Sequence, residues 1–333
     1  VSLPERLGRL QRVGRIGVGG FATVWLYHDD ELDSDVAVKA LAENWAQRYD
    51  VRDRFLEEAR ILRRADSDHV VRVYDIGEAD GTPYFVMSYA DRGSLATLLE
   101  PGRPMPPAQV IDLVDQAAAG LSVLHGHGVI HRDIKPHNLL LSSRGASVTD
   151  TGATKLLVAD LGVAKAMLHA SGLTQVVGTP AYMAPEQATG APLDTRADVH
   201  ALGAVAYQML TGKLAREGGI GSLADAKVPV APSVLAPLPP AVDSVLARAL
   251  AADPEDRWPD VASFSTALRS ALTDPSAHRS TPTTARQAAP ATVPVRHDSE
   301  PGSGMPGWLL ALVCVLVLAG TFGAAYGITE LVR

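Results

Sequence analysis

His131-Arg132-Asp133-Ile134-Lys135-Pro136-His137-Asn138 sets an acid, a cation and an amide within eight residues, between an apolar-periodic stretch at 110–127 and a short apolar run at 156–159. Those flanks predict a helix before it and a strand after it, with the polar stretch held between them as a loop. The residue types suit phosphoryl transfer. A carboxylate at Asp133 can accept the proton of an attacking hydroxyl, the Lys135 ammonium can steady charge on the transferred group, and the Asn138 amide can hold a metal ion. Such a stretch alone carries little weight, so the argument turns on what accompanies it in order and distance.

Upstream, Ile16-Gly17-Val18-Gly19-Gly20-Phe21-Ala22-Thr23-Val24 is a glycine-rich turn between two strands, where missing side chains let backbone N–H groups approach a triphosphate. Ala22 stands where a third glycine would, leaving room but resisting positive φ. Val36-Ala37-Val38-Lys39 then puts an ammonium at the end of an apolar strand. A carboxylate must aim it, and the helical stretch 52–64 offers Glu57 and Glu58. Phe55, Ile61 and Leu62 place the apolar face on the side of Glu58, leaving Glu57 to surface pairs with Arg54 or Arg60. Asp160-Leu161-Gly162 ends the run 156–159 with a carboxylate, and Asp160 with Asn138 makes an oxygen-donor pair suited to magnesium.

Around these motifs, strands at 24–26, 36–40, 70–74 and 84–89 with one helix predict a small sheet-rich lobe, and helical segments at 110–127, 197–210, 241–250 and 261–272 a larger helical one. Residues 273–307 turn to Ser, Thr, Pro and Ala without periodicity, as in a solvated linker. The run 308–328 carries no charge, has Trp308 and Tyr326 at its ends, and matches the ~30 Å of a hydrocarbon layer; it predicts one transmembrane helix, leaving 329–333 as a short external tail. The single cysteine, Cys314, lies in that run, so the chain holds no internal disulfide and no cysteine metal site, which fits a reducing compartment. The start has no apolar core of the kind a signal peptide needs. A net charge of −7 argues against a general nucleic-acid binder.

In this order the motifs resemble the eukaryotic-like (Hanks-type) serine/threonine protein kinases of bacteria, over residues 8–272. The resemblance implies an α+β, bilobal protein kinase fold, with an N-lobe at about 8–90 and a C-lobe at about 91–272. It implies transfer of the ATP γ-phosphoryl group to Ser/Thr hydroxyls of proteins, including autophosphorylation, with Mg²⁺ or alternatively Mn²⁺. Asp133 is then the base, Met87 the gatekeeper, and the backbones of Ser88 and Ala90 the readers of the adenine edge. The Glu58-Ala59 pair matches the family's usual one. Ala184-Pro185-Glu186 ends the activation segment with Arg257 as the partner of Glu186, and Asp198 anchors the catalytic loop from the helix behind it. Lys135 resembles Ser/Thr rather than tyrosine kinases, and Thr179 would border the acceptor hydroxyl. Arg132 is costly to leave unpaired, so a phosphothreonine in the segment 160–186 is expected to meet it, Thr174 first and Ser171 second.

Protein substrates, ATP, the lipid bilayer and a second copy for trans-autophosphorylation are the expected partners, with the kinase domain on the cytosolic side of the cell membrane. A scaffold that binds nucleotide without turnover would be expected to have lost one of Lys39, Asp133, Asn138 or Asp160, and none is lost. Leu161 replaces the more usual phenylalanine, and Lys213 to Gly219 depart from the Pro-Phe pair the family carries there, which bears on substrate choice. His125, His127 and His131 crowd one stretch, but two of them fall where the family has structural histidines.

Overall fold

Every residue from Val36 to Leu41 is buried, because the strand they form has apolar partners on both faces. The structure, a computed structural model, describes residues 3–143, 154–162, 180–217 and 229–274. Its first lobe is an antiparallel six-stranded sheet of β1 (Arg6–Leu7), β2 (Leu10–Val18), β3 (Ala22–Asp29), β4 (Ser34–Leu41), β5 (Val73–Ala79) and β6 (Thr82–Ser88), in the order β1-β2-β3-β4-β6-β5. Alternate residues of β4 point to opposite faces. Val36, Val38 and Ala40 pack with Leu3, Tyr27 and Val86, while Ala37 and Leu41 join the main core with Phe55, Ala59, Leu62 and Phe85.

That second face receives the helix α2 (Tyr49–Arg64), which follows the single turn α1 (Glu43–Ala46). Val51, Phe55, Glu58, Ala59 and Leu62 are its buried stripe, at helical spacing. The Phe55 and Phe85 rings meet at 5.0 Å, tilted by 38°, and fully burying one such ring contributes about 1.5–3 kcal/mol. The strand expected at 70–74 begins later, at Val73. Val70 and Val71 leave the sheet to meet the other lobe, where Val70 bridges Val158 and the Val71 N–H donates to the Val158 carbonyl at 2.9 Å.

The second lobe is built on α3 (Pro107–Gly126), α5 (Arg196–Thr211), α7 (Ala241–Ala249) and α8 (Val261–Thr273), with the short α4 (Pro185–Thr189) and α6 (Pro232–Leu235) between them. In α5 every residue of 197–211 except Gln208 is buried, so this helix is the lobe's axis rather than an amphipathic surface helix. β7 (Leu139–Ser142) pairs antiparallel with β8 (Lys155–Val158), and Leu139 sits opposite Val158. This two-stranded ladder brings the end of the 131–138 stretch beside Asp160. Among the described residues no helix is long and apolar enough to cross a membrane; the run 308–328 lies outside them.

Candidate active site

Lys39 lies mid-ladder, opposite Val24 on one side and Phe85 on the other, so its ammonium emerges from a fixed backbone. Its Nζ donates to Glu58 Oε1 at 2.7 Å and to Asp160 Oδ1 at 2.5 Å. Burial alone would lower the pKa of this ammonium, but the charges of Asp160 and Glu58 outweigh it and hold the pKa above the usual lysine value. Lys39 therefore stays a cation, joining sheet, helix and second lobe at one point. Glu58 is 3% exposed and bonds Lys39, whereas Glu57 sits on the surface near Arg60 and Arg64.

The turn between β2 and β3 is closed by the Gly19 N–H donating to the Ala22 carbonyl at 2.9 Å. A Cβ built on Gly20 meets nothing within 4 Å, so the backbone there is open to a ligand. Ala22 begins β3 without positive φ, and alanine at the third-glycine position is unstrained. Phe21 turns away to stack on Trp45 at 5.2 Å. Met87 is buried where β6 ends. The Ser88 N–H is committed to the Arg72 carbonyl at 2.9 Å, so Ser88 has only its carbonyl to offer an adenine edge; Ala90 is half-buried two residues on.

On the other lobe the Asp133 carboxylate accepts Lys135 Nζ at 3.1 and 3.3 Å and Asn138 Nδ2 at 2.9 Å, while the same amide donates to the Asp133 carbonyl at 2.7 Å. Both amide hydrogens of Asn138 are thus directed to Asp133, and its oxygen is the atom left for a cation. An amide oxygen with the Asp160 carboxylate is a donor set that fits magnesium, which keeps waters for its remaining positions. Among the described residues no cluster of three or more His, Cys, Asp or Glu could hold a metal without such help.

Two residues here hold φ in the left-handed region, Arg132 at 68° and Asp160 at 63°. For a non-glycine residue this costs roughly 1–3 kcal/mol and persists only when surroundings enforce it. At Arg132 the enforcement comes from Asp198, fully buried in α5, whose carboxylate accepts the N–H groups of His131 (2.8 Å) and Arg132 (2.9 Å) and His125 Nε2 (2.8 Å). His131 Nε2 donates to the Ala159 carbonyl at 3.0 Å, and burial holds its pKa below the usual value, so it remains neutral.

Glu186 meets Arg257 in a two-pronged pair at 2.6 and 2.7 Å, and the guanidinium, with no exposed surface, also donates to the carbonyls of Ala251, Ala252 and Arg196. The Arg132 side chain is exposed to solvent. Thr174, Ser171 and Thr179 lie outside the described residues. Gln187, absent from the sequence reading, joins the site: its Nε2 donates to the Arg132 carbonyl at 2.7 Å. Its one sequence signal is glutamine at the third position of a helix, but the capping pattern needs Ser or Thr at the cap, and Ala184 stands there.

Residues 10–262 match the protein kinase domain family, and the chain belongs to that family. It is 36% identical over 277 residues to the serine/threonine-protein kinase PknB of Mycobacterium leprae, covering 78% of this chain and 42% of the relative. It is 32% identical over 367 residues to the serine/threonine-protein kinase PknA of Corynebacterium glutamicum, covering 98% and 75%. The chain thus spans about two fifths of the first of these and three quarters of the second. Among solved structures, the kinase domain of Mycobacterium tuberculosis PknI superposes with a TM-score of 0.62 at 27% identity, over 81% of this chain and 97% of that one.

Proposed function

We propose that this chain is a serine/threonine protein kinase that transfers the γ-phosphoryl group of ATP to hydroxyls of proteins, its own included. The observation that carries the reading is the Lys39 ammonium shared between Glu58 and Asp160, together with an Asp133 carboxylate held by Lys135 and Asn138. In this reading Lys39 grips ATP phosphates and Glu58 aims it. Asp133 orients the acceptor hydroxyl and takes its proton, while Lys135 offsets charge on the transferred group; positioning and electrostatics supply most of the acceleration. Asn138 and Asp160 would hold Mg²⁺, which when bound neutralises charge across the phosphates. The backbone from Ile16 to Val24 covers the triphosphate, and Met87, Ser88 and Ala90 line the adenine side.

The uncharged run 308–328 supports a single-pass tether with the kinase domain on the cytosolic side, where ATP is found. The kinase names carried by the relatives support the chemistry, and trans-autophosphorylation between two copies belongs to the same proposal, with Thr174 and Ser171 as acceptors.

The test is to incubate the full chain with γ-labelled ATP, Mg²⁺ and casein, beside Lys39→Met and Asp133→Asn. The unaltered chain is expected to label Ser and Thr. Lys39→Met should lose that labelling, and Asp133→Asn should lose it by ~10³-fold or more while still binding ATP. Labelling by Asp133→Asn at the unaltered rate would remove the base assignment.

A further inference from the structure

We propose that Gln187 is a positioning residue for Asp133, holding the peptide plane from which the carboxylate projects; its effect on turnover rests on the kinase reading above. The Arg132 carbonyl belongs to the peptide bond that joins Arg132 to Asp133. Gln187 Nε2 donates to that carbonyl at 2.7 Å, and the N–H of the same peptide donates to His131 Nδ1 at 3.4 Å. On the far side of Arg132, the N–H is taken by Asp198 at 2.9 Å. The left-handed Arg132, φ 68°, is thus clamped before and after its Cα by two residues from different helices. Releasing the carbonyl lets that plane rotate toward an unstrained conformation, and the Asp133 Cβ turns with it.

The clamp also has a fixed base. Glu186, one residue earlier in α4, is locked to the fully buried Arg257 by two charge-assisted hydrogen bonds. The backbone of α4 therefore cannot drift, and Gln187 transmits that fixity to the catalytic loop 55 residues away in sequence. Gln187 Oε1 accepts the Ala184 N–H at 3.1 Å, so one amide plane starts the helix with its oxygen and holds the loop with its nitrogen. Gln187 also lines the small cavity bordered by Asp133, Lys135, Tyr182 and Met183.

Two substitutions separate the two ends of the amide. Gln187→Leu removes both hydrogen bonds at nearly constant shape, whereas Gln187→Glu keeps an oxygen for the Ala184 N–H but turns an oxygen toward the Arg132 carbonyl. In the full chain, hydrogen–deuterium exchange of peptides covering 131–138 is expected to speed up by about tenfold in both variants, with the rest of the lobe unchanged. Turnover should fall by ~10–100-fold in kcat, with KM for ATP within about twofold, as for a misaimed group that does not bind nucleotide. Unchanged exchange at 131–138 in Gln187→Leu would overturn the proposal. So would a Gln187→Glu variant that matches the unaltered chain, since Gln187 would then act only on the start of α4. Absence of labelling by the unaltered chain would remove the kinase reading, while the exchange result still decides the positioning.

Discussion

At the residue scale the fold spends its burial on polar groups that aim other polar groups, and two histidines make this readable by pH. His131 is buried and neutral, and burial followed by the nearby charges of Arg257 and Arg216 pushes His200 well below the usual histidine pKa. A folded pKa below the unfolded value means that, as pH falls, the unfolded chain takes up protons first. Stability is therefore full above about pH 6.5 and lost as pH falls below it, by up to ~1.4 kcal/mol at pH 5.5 for His200, the more strongly shifted of the two. Thermal unfolding between pH 7.5 and 5.5 should show the melting temperature falling, and His200→Leu should flatten the slope whatever it does to the starting value. An unchanged slope in that variant would mean that His200 is not held neutral. Sequence alone put His131 in a structural place, yet nothing marked His200, because its burial follows from the whole of α5 turning inward.

At the scale of elements, the critical joint is the loop between α2 and β5. The His69 carbonyl accepts the Val158 N–H at 2.9 Å, tying the helix that bears Glu58 to the strand that leads to Asp160. α3 presses on the same carbonyl: a Cβ built on Gly120 would stand 2.3 Å from it. Gly120→Ala must therefore push loop and helix apart, at a cost of ~1–3 kcal/mol, a drop in melting temperature of roughly 3–10 °C. A thermal scan that finds the variant as stable as the unaltered chain would show that the joint yields freely. This joint is also where the sequence misled. Val70-Val71-Arg72-Val73-Tyr74 has strand composition throughout, but its first two residues serve the other lobe, and the strand runs on through Asp75, Gly77 and Glu78, which no propensity favours. Glu58 was legible from the apolar face of its helix, Asp160 from a charge at the end of an apolar run, and Asp133 with Asn138 from a polar stretch between apolar ones. Lys39, read at a strand end, stands inside its strand. Gln187 was not legible, because an uncharged amide bonding a carbonyl 55 residues away leaves no periodic mark.

At the scale of the whole molecule, a kinase domain and an uncharged run of 308–328 share one chain, and the proposal joins them by a tether rich in Ser, Thr, Pro and Ala. If the run spans a bilayer, its stability there must be sensitive to charge at its centre and indifferent to salt. An arginine near the middle of a spanning helix costs about 2.5–3.5 kcal/mol on insertion scales, so the pair Leu316→Arg with Leu318→Arg costs ~5–7 kcal/mol, enough to reverse insertion of one helix. The full chain should float with lipid vesicles in high salt and at alkaline pH, where peripheral attachments fail, and the double variant should stay in the soluble fraction. The double variant should keep its casein labelling, because neither position belongs to the family-matched residues 10–262. Flotation of the double variant would instead mean that membrane attachment resides elsewhere in the chain, and loss of labelling in a soluble, folded double variant would mean that the tether contributes to catalysis itself.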